Sequence, residues 1–299
     1  MPAAPAVSIQ DQPRRSLAYM AASALGFSLM AIFVKRLAHS IPHFELVFLR
    51  SLINLAVTFA LMRVFGERLP RTGHRLLLFR GVAGFGSLTC LFYSLSHLPL
   101  AVAMILSWCS PIFVILFSAL FLGERLGARS LSWVALAFAG LAVLLYPPGG
   151  LGMSQMPLQA IVIGLAGSAS AALAYVAVRA ATARVGVNTI VFYFVAVSAL
   201  ISLPLALGDF RAPTSGEAAE LLAMGLLASF AQFMMTQGYR YAKAGVASTM
   251  NLLSAGLSAI LGWVLFDERL VAFQWAGMIT LMGAIVLLTR ESGVRRVKS

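Results

Sequence analysis

The sequence predicts an all-α membrane protein of ten transmembrane helices, arranged as two inverted five-helix repeats with both termini in the cytoplasm. Three observations lead to this fold class. The chain contains long uncharged apolar runs, its basic residues fall mainly in alternate loops, and one half repeats the other at a constant offset of 144 residues.

The apolar runs are too long and too numerous for a soluble protein. Of 299 residues, 60% are hydrophobic and 11% are charged, and the mean hydropathy is +0.91. A soluble fold could not bury that much apolar surface and still present a charged exterior. Uncharged runs of about 18 residues or more, enough to span a bilayer, occur at Leu17–Val34, Val185–Gly208, Leu221–Tyr239, Ala244–Phe266 and Leu270–Thr289.

Charged residues, prolines and glycines divide the chain into ten predicted spans. These cover approximately residues 17–36, 43–63, 76–97, 99–121, 129–146, 158–179, 188–207, 218–240, 244–266 and 270–290. Pro99 is expected in the first turn of the fourth span, where a proline ring is tolerated. The Pro/Gly-rich segment 146–152 predicts the loop between the fifth and sixth spans. The second span is the least regular, because it contains Glu45 and Arg50.

The basic residues predict the orientation. If the N-terminus is cytoplasmic, sixteen of the 22 lysines and arginines lie on the cytoplasmic side and four on the other side. This is the bias that the positive-inside rule describes. Both termini are therefore predicted to be cytoplasmic, and a chain with both ends on one side of the membrane has an even number of spans. The net charge of +12 therefore reflects membrane topology and not a nucleic-acid partner. We expect a multi-pass protein of the bacterial inner (plasma) membrane.

The internal repeat determines the predicted domains. A shift of 144 residues superimposes Glu124-Arg125-Leu126 on Glu268-Arg269-Leu270, and both copies are predicted to cap helix ends. The repeats are predicted at residues 17–146 and 158–290, with a periplasmic linker at 147–157 and cytoplasmic tails at 1–16 and 291–299. Each repeat holds five helices, so the second enters the membrane from the opposite side. Inverted repeats of this kind are typical of secondary transporters, which bind substrate between the halves.

These features make the chain similar to the EamA-type exporters of the drug/metabolite transporter (DMT) superfamily, over about residues 17–290. The similarity rests on the two five-helix halves, the short turn after the third helix and the [GD]-E-R-L segment after the fourth helix of each half. Exporters of similar layout include those of amino acids, among them YddG-type aromatic amino-acid exporters. The resemblance implies a central cavity surrounded by the first, third, fourth, sixth, eighth and ninth helices.

Polar residues at corresponding positions of the two halves predict the cavity lining. Ser107 aligns with Asn251, Ser110 with Ser254, and Tyr93 with Gln237. The predicted substrate-binding residues are Thr89, Tyr93, Ser107, Trp108, Ser110, Gln237, Asn251 and Ser254. The alternative is that these groups only form hydrogen bonds between helices. Core packing is the expected use of Phe27, Met104, Tyr175, Met234 and Met235, with an apolar cavity wall as the alternative.

Two arginines lie inside predicted spans. Arg50 could extend its head group to the outer interface or face the cavity and attract a substrate carboxylate. Arg80 is only about one turn inside the third span and is predicted to anchor that helix at the cytoplasmic surface. Glycines 81, 84 and 86, like glycines 164 and 167, predict close approach of the third and sixth helices.

The energy source is predicted from the positions of the acids. Acidic residues and histidines lie in loops or near span ends, and Leu17–Val34 contains none. The related small multidrug transporters rely on a glutamate in their first helix, so its absence predicts transport without obligatory proton coupling. Glu45 is the one acid that could restore such coupling.

The predicted function is export of small amphipathic metabolites by alternating access, with amino acids, aromatic ones first, as candidate substrates. The alternatives are a proton-coupled drug or nucleoside permease, an uptake permease, and a membrane enzyme or lipid flippase. No catalytic constellation, metal site, P-loop or cofactor motif is recognised, and Cys90 and Cys109 are expected to be buried free thiols. The expected partners are a small-molecule substrate and the lipid bilayer, and a monomer is compatible with the sequence.

Overall fold

The computed structural model describes residues 12–67, 69–70, 73–122, 128–145, 157–208, 210–242, 244–268 and 270–295, and these residues form helices joined by short connections. The predicted repeat copy Glu124-Arg125-Leu126, Arg269, the linker up to residue 156 and the ends of both tails lie outside these ranges. The described residues contain twelve helices: α1 Pro13–Leu37, α2 His43–Val64, α3 His74–His97, α4 Leu100–Ser107, α5 Ser110–Leu122, α6 Ala128–Leu145, α7 Leu158–Thr182, α8 Val187–Ala206, α9 Ser215–Tyr241, α10 Ala244–Met250, α11 Leu252–Phe266 and α12 Ala272–Arg295.

The helices confirm an all-α membrane protein. Among the described residues, nine helical segments are long and apolar enough to cross a membrane, and Leu252–Phe266 is a shorter apolar helix. The fourth and ninth predicted spans account for the difference between ten spans and twelve helices. Each was expected to be continuous, but the structure breaks the fourth between α4 and α5 and the ninth between α10 and α11.

The two breaks fall at corresponding positions. The first lies at Trp108 and Cys109, and the second lies at Asn251, which aligns with Ser107. The first has a local cause, because Pro111 has no N–H to donate to the carbonyl of the preceding turn. Side-chain hydroxyls satisfy backbone carbonyls at both breaks. The Ser168 hydroxyl of α7 donates to the Leu106 carbonyl, and the Ser254 hydroxyl donates to the Asn251 carbonyl. Such side-chain donors let interrupted helices exist inside a bilayer.

Four helix pairs dominate the packing: α1 with α9, α3 with α7, α2 with α8, and α6 with α12. At an offset of 144 residues, α1 corresponds to α7 and α3 corresponds to α9, so the first two pairs are equivalent. In each of the other two pairs, the two helices correspond to each other. Glycines permit the closest contacts, as predicted for α3 and α7. A Cβ at Gly167 would lie 2.6 Å from the Cβ of Cys90, and a Cβ at Gly140 on α6 would lie 2.6 Å from the backbone nitrogen of Leu281 on α12.

Glutamates from distant parts of the chain cap two of the helices. At the start of α4, Glu268 accepts a hydrogen bond from the Leu100 backbone N–H at 2.7 Å. At the start of α8, Glu67 accepts from the backbone N–H of Thr189 at 3.2 Å. A carboxylate is favourable at a helix N-terminus because it satisfies free N–H groups and the helix dipole. Glu268 therefore caps a helix, as expected of its sequence motif, but the helix belongs to the other half of the chain.

Candidate substrate cavity

A cavity lies at the centre of the helix bundle, beside the break between α4 and α5. Its empty volume is about 500 Å³, including the part that opens to solvent. The described lining residues come from α1, α2, α3, α4, α7, α8 and α9, and from Trp108 at the break: Phe27, Met30, Arg50, Arg80, Gly84, Ser87, Leu88, Leu91, Ser107, Trp108, Ala171, Ala174, Tyr175, Phe194, Gln232 and Met235.

The two halves of the chain contribute equivalent positions to this wall. Five pairs of lining residues are separated by 144 positions: Phe27 and Ala171, Met30 and Ala174, Arg50 and Phe194, Leu88 and Gln232, Leu91 and Met235. The backbone positions are therefore shared between the halves while the side chains differ. Both cavity arginines belong to the first half, whereas Met224 and Phe194 occupy the matching positions in the second.

Arg50 and Arg80 are buried in the cavity wall. Their exposed fractions are 1% and 2%, and in each the Nε and Nη1 atoms have no hydrogen-bond partner. Both guanidinium groups lie over the ring of Phe194, with the central carbon 5.5 Å from the ring centroid for Arg50 and 4.4 Å for Arg80. The prediction that Arg80 anchors α3 at the cytoplasmic surface is wrong. The side chain points into the bundle, because the face of α3 that carries it packs against α8.

Gly84 makes room for the Arg80 side chain. It follows Arg80 by one helical turn, and a Cβ there would collide with Nη1 of Arg80 and approach Cδ2 of Phe194 to 2.7 Å. A glycine at this position thus leaves space for the guanidinium between α3 and the Phe194 ring. The positions of Arg80, Gly84, Leu88 and Leu91 recur at three- and four-residue spacing and define one face of α3.

Aromatic rings form the side of the cavity near the α4–α5 break. The rings of Trp108 and Tyr175 stack at 6.4 Å with an interplanar angle of 14°, and Tyr175 stacks on Tyr239 at 5.0 Å. Phe27 lies 5.8 Å from Trp108 in a tilted arrangement. Tyr175 and Phe27 therefore belong to the cavity wall, as does Met235. Of the other two methionines assigned to packing, Met104 is fully buried and Met234 is absent from the wall.

The fully buried side-chain atoms of this wall that have no hydrogen-bond partner share one property. They are Nε and Nη1 of Arg50, Nε and Nη1 of Arg80, Nε1 of Trp108 and Nε2 of Gln232. All are N–H donors, and arginine and tryptophan side chains have no acceptor atom to offer instead. Buried donors are normally satisfied. The described wall is therefore suited to a ligand that brings hydrogen-bond acceptors.

The structure brings three of the predicted site residues, Arg50, Ser107 and Trp108, into one cavity. The remaining six predicted residues are not part of its described wall: Thr89, Tyr93, Ser110, Gln237, Asn251 and Ser254. Tyr93 lies near the C-terminal end of α3, stacked on His97 at 4.1 Å. Asn251, Ser254 and Ser110 are fully buried, and the Ser254 hydroxyl donates to the Asn251 carbonyl at 2.7 Å. Substrate contact by these six stays a prediction.

The helices around the cavity differ from those the resemblance implied. The second and seventh predicted spans contribute through Arg50 and Phe194, whereas the described part of the ninth does not contribute. Sequence reasoning missed Arg80, Phe194 and Gln232. A signal for Arg80 was present, since a cation followed by Gly84, Leu88 and Leu91 marks a helix face that could line a polar space.

Comparisons with known proteins agree with this architecture. The model of the EamA-like transporter family matches the chain twice, at residues 14–146 and 158–290. The pseudopaline exporter CntI of Pseudomonas aeruginosa is 38% identical over 265 residues, which cover 88% of this chain and 92% of that protein. A riboflavin transporter of Rhizobium johnstonii is 28% identical over 68% of this chain and 66% of its own length. An S-adenosylmethionine uptake transporter of Rickettsia prowazekii is 23% identical over 87% and 85%.

A solved structure shares the fold. It aligns with a TM-score of 0.71 over 96% of this chain and all of that chain, at 20% identity. The family model matches both halves, and nine described helical segments are long and apolar enough to cross a membrane. The chain belongs to the EamA-like transporter family and is a multi-pass membrane transporter of small molecules, not an enzyme.

Proposed function

We propose that this protein is a secondary transporter that exports small amphipathic metabolites of amino-acid type across the bacterial inner membrane. The observation that carries the proposal is the central cavity, whose wall combines stacked aromatic rings with unpartnered N–H donors. Such a wall suits a substrate with an apolar body and a polar, acceptor-rich end. Export is favoured over uptake by the 38% identity with the pseudopaline exporter over most of both chains.

Alternating access between two inverted repeats is the proposed mechanism. The repeats, at residues 17–146 and 158–290 with the intervening linker and terminal tails as predicted, are supported by two family matches whose boundaries differ by 144 residues. A matched pair of hydrogen bonds gives further support. The Thr189 N–H donates to Glu67, and the Arg211 N–H donates to Glu45 at 3.1 Å. At this offset, position 67 corresponds to 211 and position 45 corresponds to 189. In each half, the loop after the second helix therefore contacts the start of the second helix of the other half.

Transport without obligatory proton coupling is proposed from the cavity chemistry. The described residues around the cavity include no carboxylate and no imidazole. Glu45 is fully buried, but it lies in the first turn of α2 and its Oε2 atom accepts the Arg211 backbone N–H. A carrier that exchanges protons for substrate needs an ionisable group that both can reach. Glu45 thereby links the start of α2 to the loop before α9, and the gradient of the substrate itself would drive the flux.

The test is efflux from proteoliposomes that contain the purified protein and a pH-sensitive dye. Preloading with a panel of neutral, acidic and aromatic amino acids should give protein-dependent efflux of at least one compound, without a fixed ratio of protons to substrate. A fixed ratio that disappears in Glu45→Gln would favour the proton-coupled permease. No protein-dependent flux across metabolites, drugs and nucleosides would overturn the transport proposal itself.

A further inference from the structure

The two buried arginines identify the charge of the substrate. We propose that the cavity binds an acidic metabolite with at least two carboxylate groups, held by Arg50 and Arg80 while its apolar part lies against Trp108 and Tyr175. This inference rests on the proposed function, in that it takes the central cavity to be the substrate site.

These two arginines differ from three other cations of the chain, which are paired with acids. Lys35 pairs with Glu268, Arg36 with Glu220 and Arg211 with Glu217. Arg50 and Arg80 are more deeply buried than any of these, yet no acid of the described residues reaches them. A buried charge without a counter-charge is strongly disfavoured. A negative ligand would supply that counter-charge whenever the cavity is occupied.

The Phe194 ring supports the arginines only in part. A ring face attracts a cation, but it offers no acceptor to the N–H groups at the edge of a guanidinium. Those edges match the two oxygens of a carboxylate, with which arginine forms paired hydrogen bonds. Because both guanidinium groups lie over one ring, at 5.5 and 4.4 Å, the two carboxylates must be close together in the substrate.

The other unpartnered donors extend the same pattern. Trp108 Nε1 and Gln232 Nε2 add donors on further sides of the cavity, and the stacked rings of Trp108 and Tyr175 present an apolar surface. None of the described lining residues is an acid. The ammonium group of a neutral amino acid, like a lipophilic cation, would therefore meet two like charges and no carboxylate in this wall. An acidic compound fits better than either.

A set of four compounds with the same phenyl ring tests this inference. Phenylsuccinate carries two carboxylates, phenylalanine one carboxylate and one ammonium, phenethylamine one ammonium, and phenyl phosphate a phosphate. Binding is measured as thermal stabilisation of the purified full-length protein, and transport as efflux from proteoliposomes. We expect phenylsuccinate to stabilise the protein and to be transported, with phenylalanine at least tenfold weaker and phenethylamine without effect.

Variants of the two arginines connect the effect to the site. Arg50→Gln and Arg80→Gln should each weaken phenylsuccinate binding at least tenfold, whereas Arg36→Gln, which alters an exposed and paired arginine, should leave it unchanged. The melting temperature without ligand should stay the same or rise in both cavity variants, because an uncompensated charge is removed. A purely structural arginine would instead lower it, and that result would overturn the proposal.

The remaining outcomes separate this inference from the proposed function. Transport of phenylalanine that is indifferent to both arginine variants would overturn the acidic-substrate inference and leave the transporter proposal intact. Binding of none of the four compounds by the folded protein would also overturn it. Preference for phenyl phosphate over phenylsuccinate would overturn the assignment to carboxylates.

Discussion

Lys35 and Arg80 both lie over a phenylalanine ring, yet their surroundings differ in one decisive way. The Lys35 ammonium is 5.5 Å from the Phe266 centroid, pairs with Glu268 and donates to the Leu98 carbonyl at 3.0 Å. The Arg80 guanidinium is 4.4 Å from the Phe194 centroid, and its Nε and Nη1 atoms have neither an acid nor a carbonyl partner among the described residues. At Lys35, where a cation holds helices together, the chain provides the counter-charge from its own residues.

Lys35 has a structural role, whereas Arg50 and Arg80 are proposed to bind the substrate. Through Lys35 and Glu268 the end of α1 is joined to the start of α4 and to the end of α11. Arg50 and Arg80 join nothing of this kind and face an open volume. The lesson is that an intramembrane cation should be judged by its partners and not by its depth.

Providing the cavity arginines with an internal acid should have the largest effect. Phe194→Glu places a carboxylate where both guanidinium groups now meet a ring, so it would compete with an acidic substrate. We expect the kcat/KM for phenylsuccinate efflux to fall about 100-fold or more relative to Phe194→Gln, since paired buried charges contribute several kcal/mol. The melting temperature of Phe194→Glu should exceed that of Phe194→Gln. Equal transport by the two variants would mean that the arginines do not bind the substrate.

Removing the structural cation should affect stability and not binding. Lys35→Met leaves the partly buried Glu268 carboxylate without its cation, and the free energy of unfolding should fall by about 2 kcal/mol. Arg36→Met is the matched control, because Arg36 is 57% exposed and its pair with Glu220 should contribute less than about 1 kcal/mol. Thermal unfolding in detergent measures both. A Lys35 variant as stable as the Arg36 variant would contradict the structural role.

Displacing Arg80 without removing it should have an intermediate effect. In Gly84→Ala the new Cβ occupies the space of the Arg80 head group, so phenylsuccinate affinity should fall about tenfold, the equivalent of one charged hydrogen bond. Gly256→Ala is the control, because a Cβ there meets nothing within 4 Å. The dissociation constants of the two variants are compared by titration. Unchanged affinity in Gly84→Ala would show that the observed position of Arg80 is not needed.

Removing a single neutral donor should have the smallest effect. Trp108→Phe keeps an aromatic ring and deletes the unpartnered Nε1–H, so affinity for phenylsuccinate should fall about three- to tenfold, as for one ordinary hydrogen bond. Trp263→Phe serves as the control, since Trp263 is 54% exposed and is not among the cavity-lining residues. An effect of equal size in both variants would mean that Trp108 acts only through its bulk.

The helical fold could be predicted because hydropathy and length decide which segments cross a bilayer. The cavity could be predicted only in part, because helix rotation is decided by packing. In α3 the face of Thr89 and Tyr93 was predicted to line the cavity, whereas the face of Gly84, Leu88 and Leu91 lines it in the structure. A membrane helix is apolar on all sides, so no pattern of polar and apolar residues marks its inward face. Small residues such as Gly81 and Gly86, packed against Val197 and Ser170, fix the rotation instead.

The sequence by itself determined the membrane class, the approximate number of spans, the 144-residue repeat and the family. These properties depend on composition and on the order of residues along the chain, because each segment enters the bilayer according to its own length and hydropathy. The tertiary structure alone decided that Arg80 is buried beside Arg50, that Glu268 caps a helix of the opposite half, and that Ser107 and Trp108, but not Asn251, reach the cavity. Each of these three features depends on contacts between residues that are distant in the sequence. In an apolar chain, close packing of the helices determines those contacts.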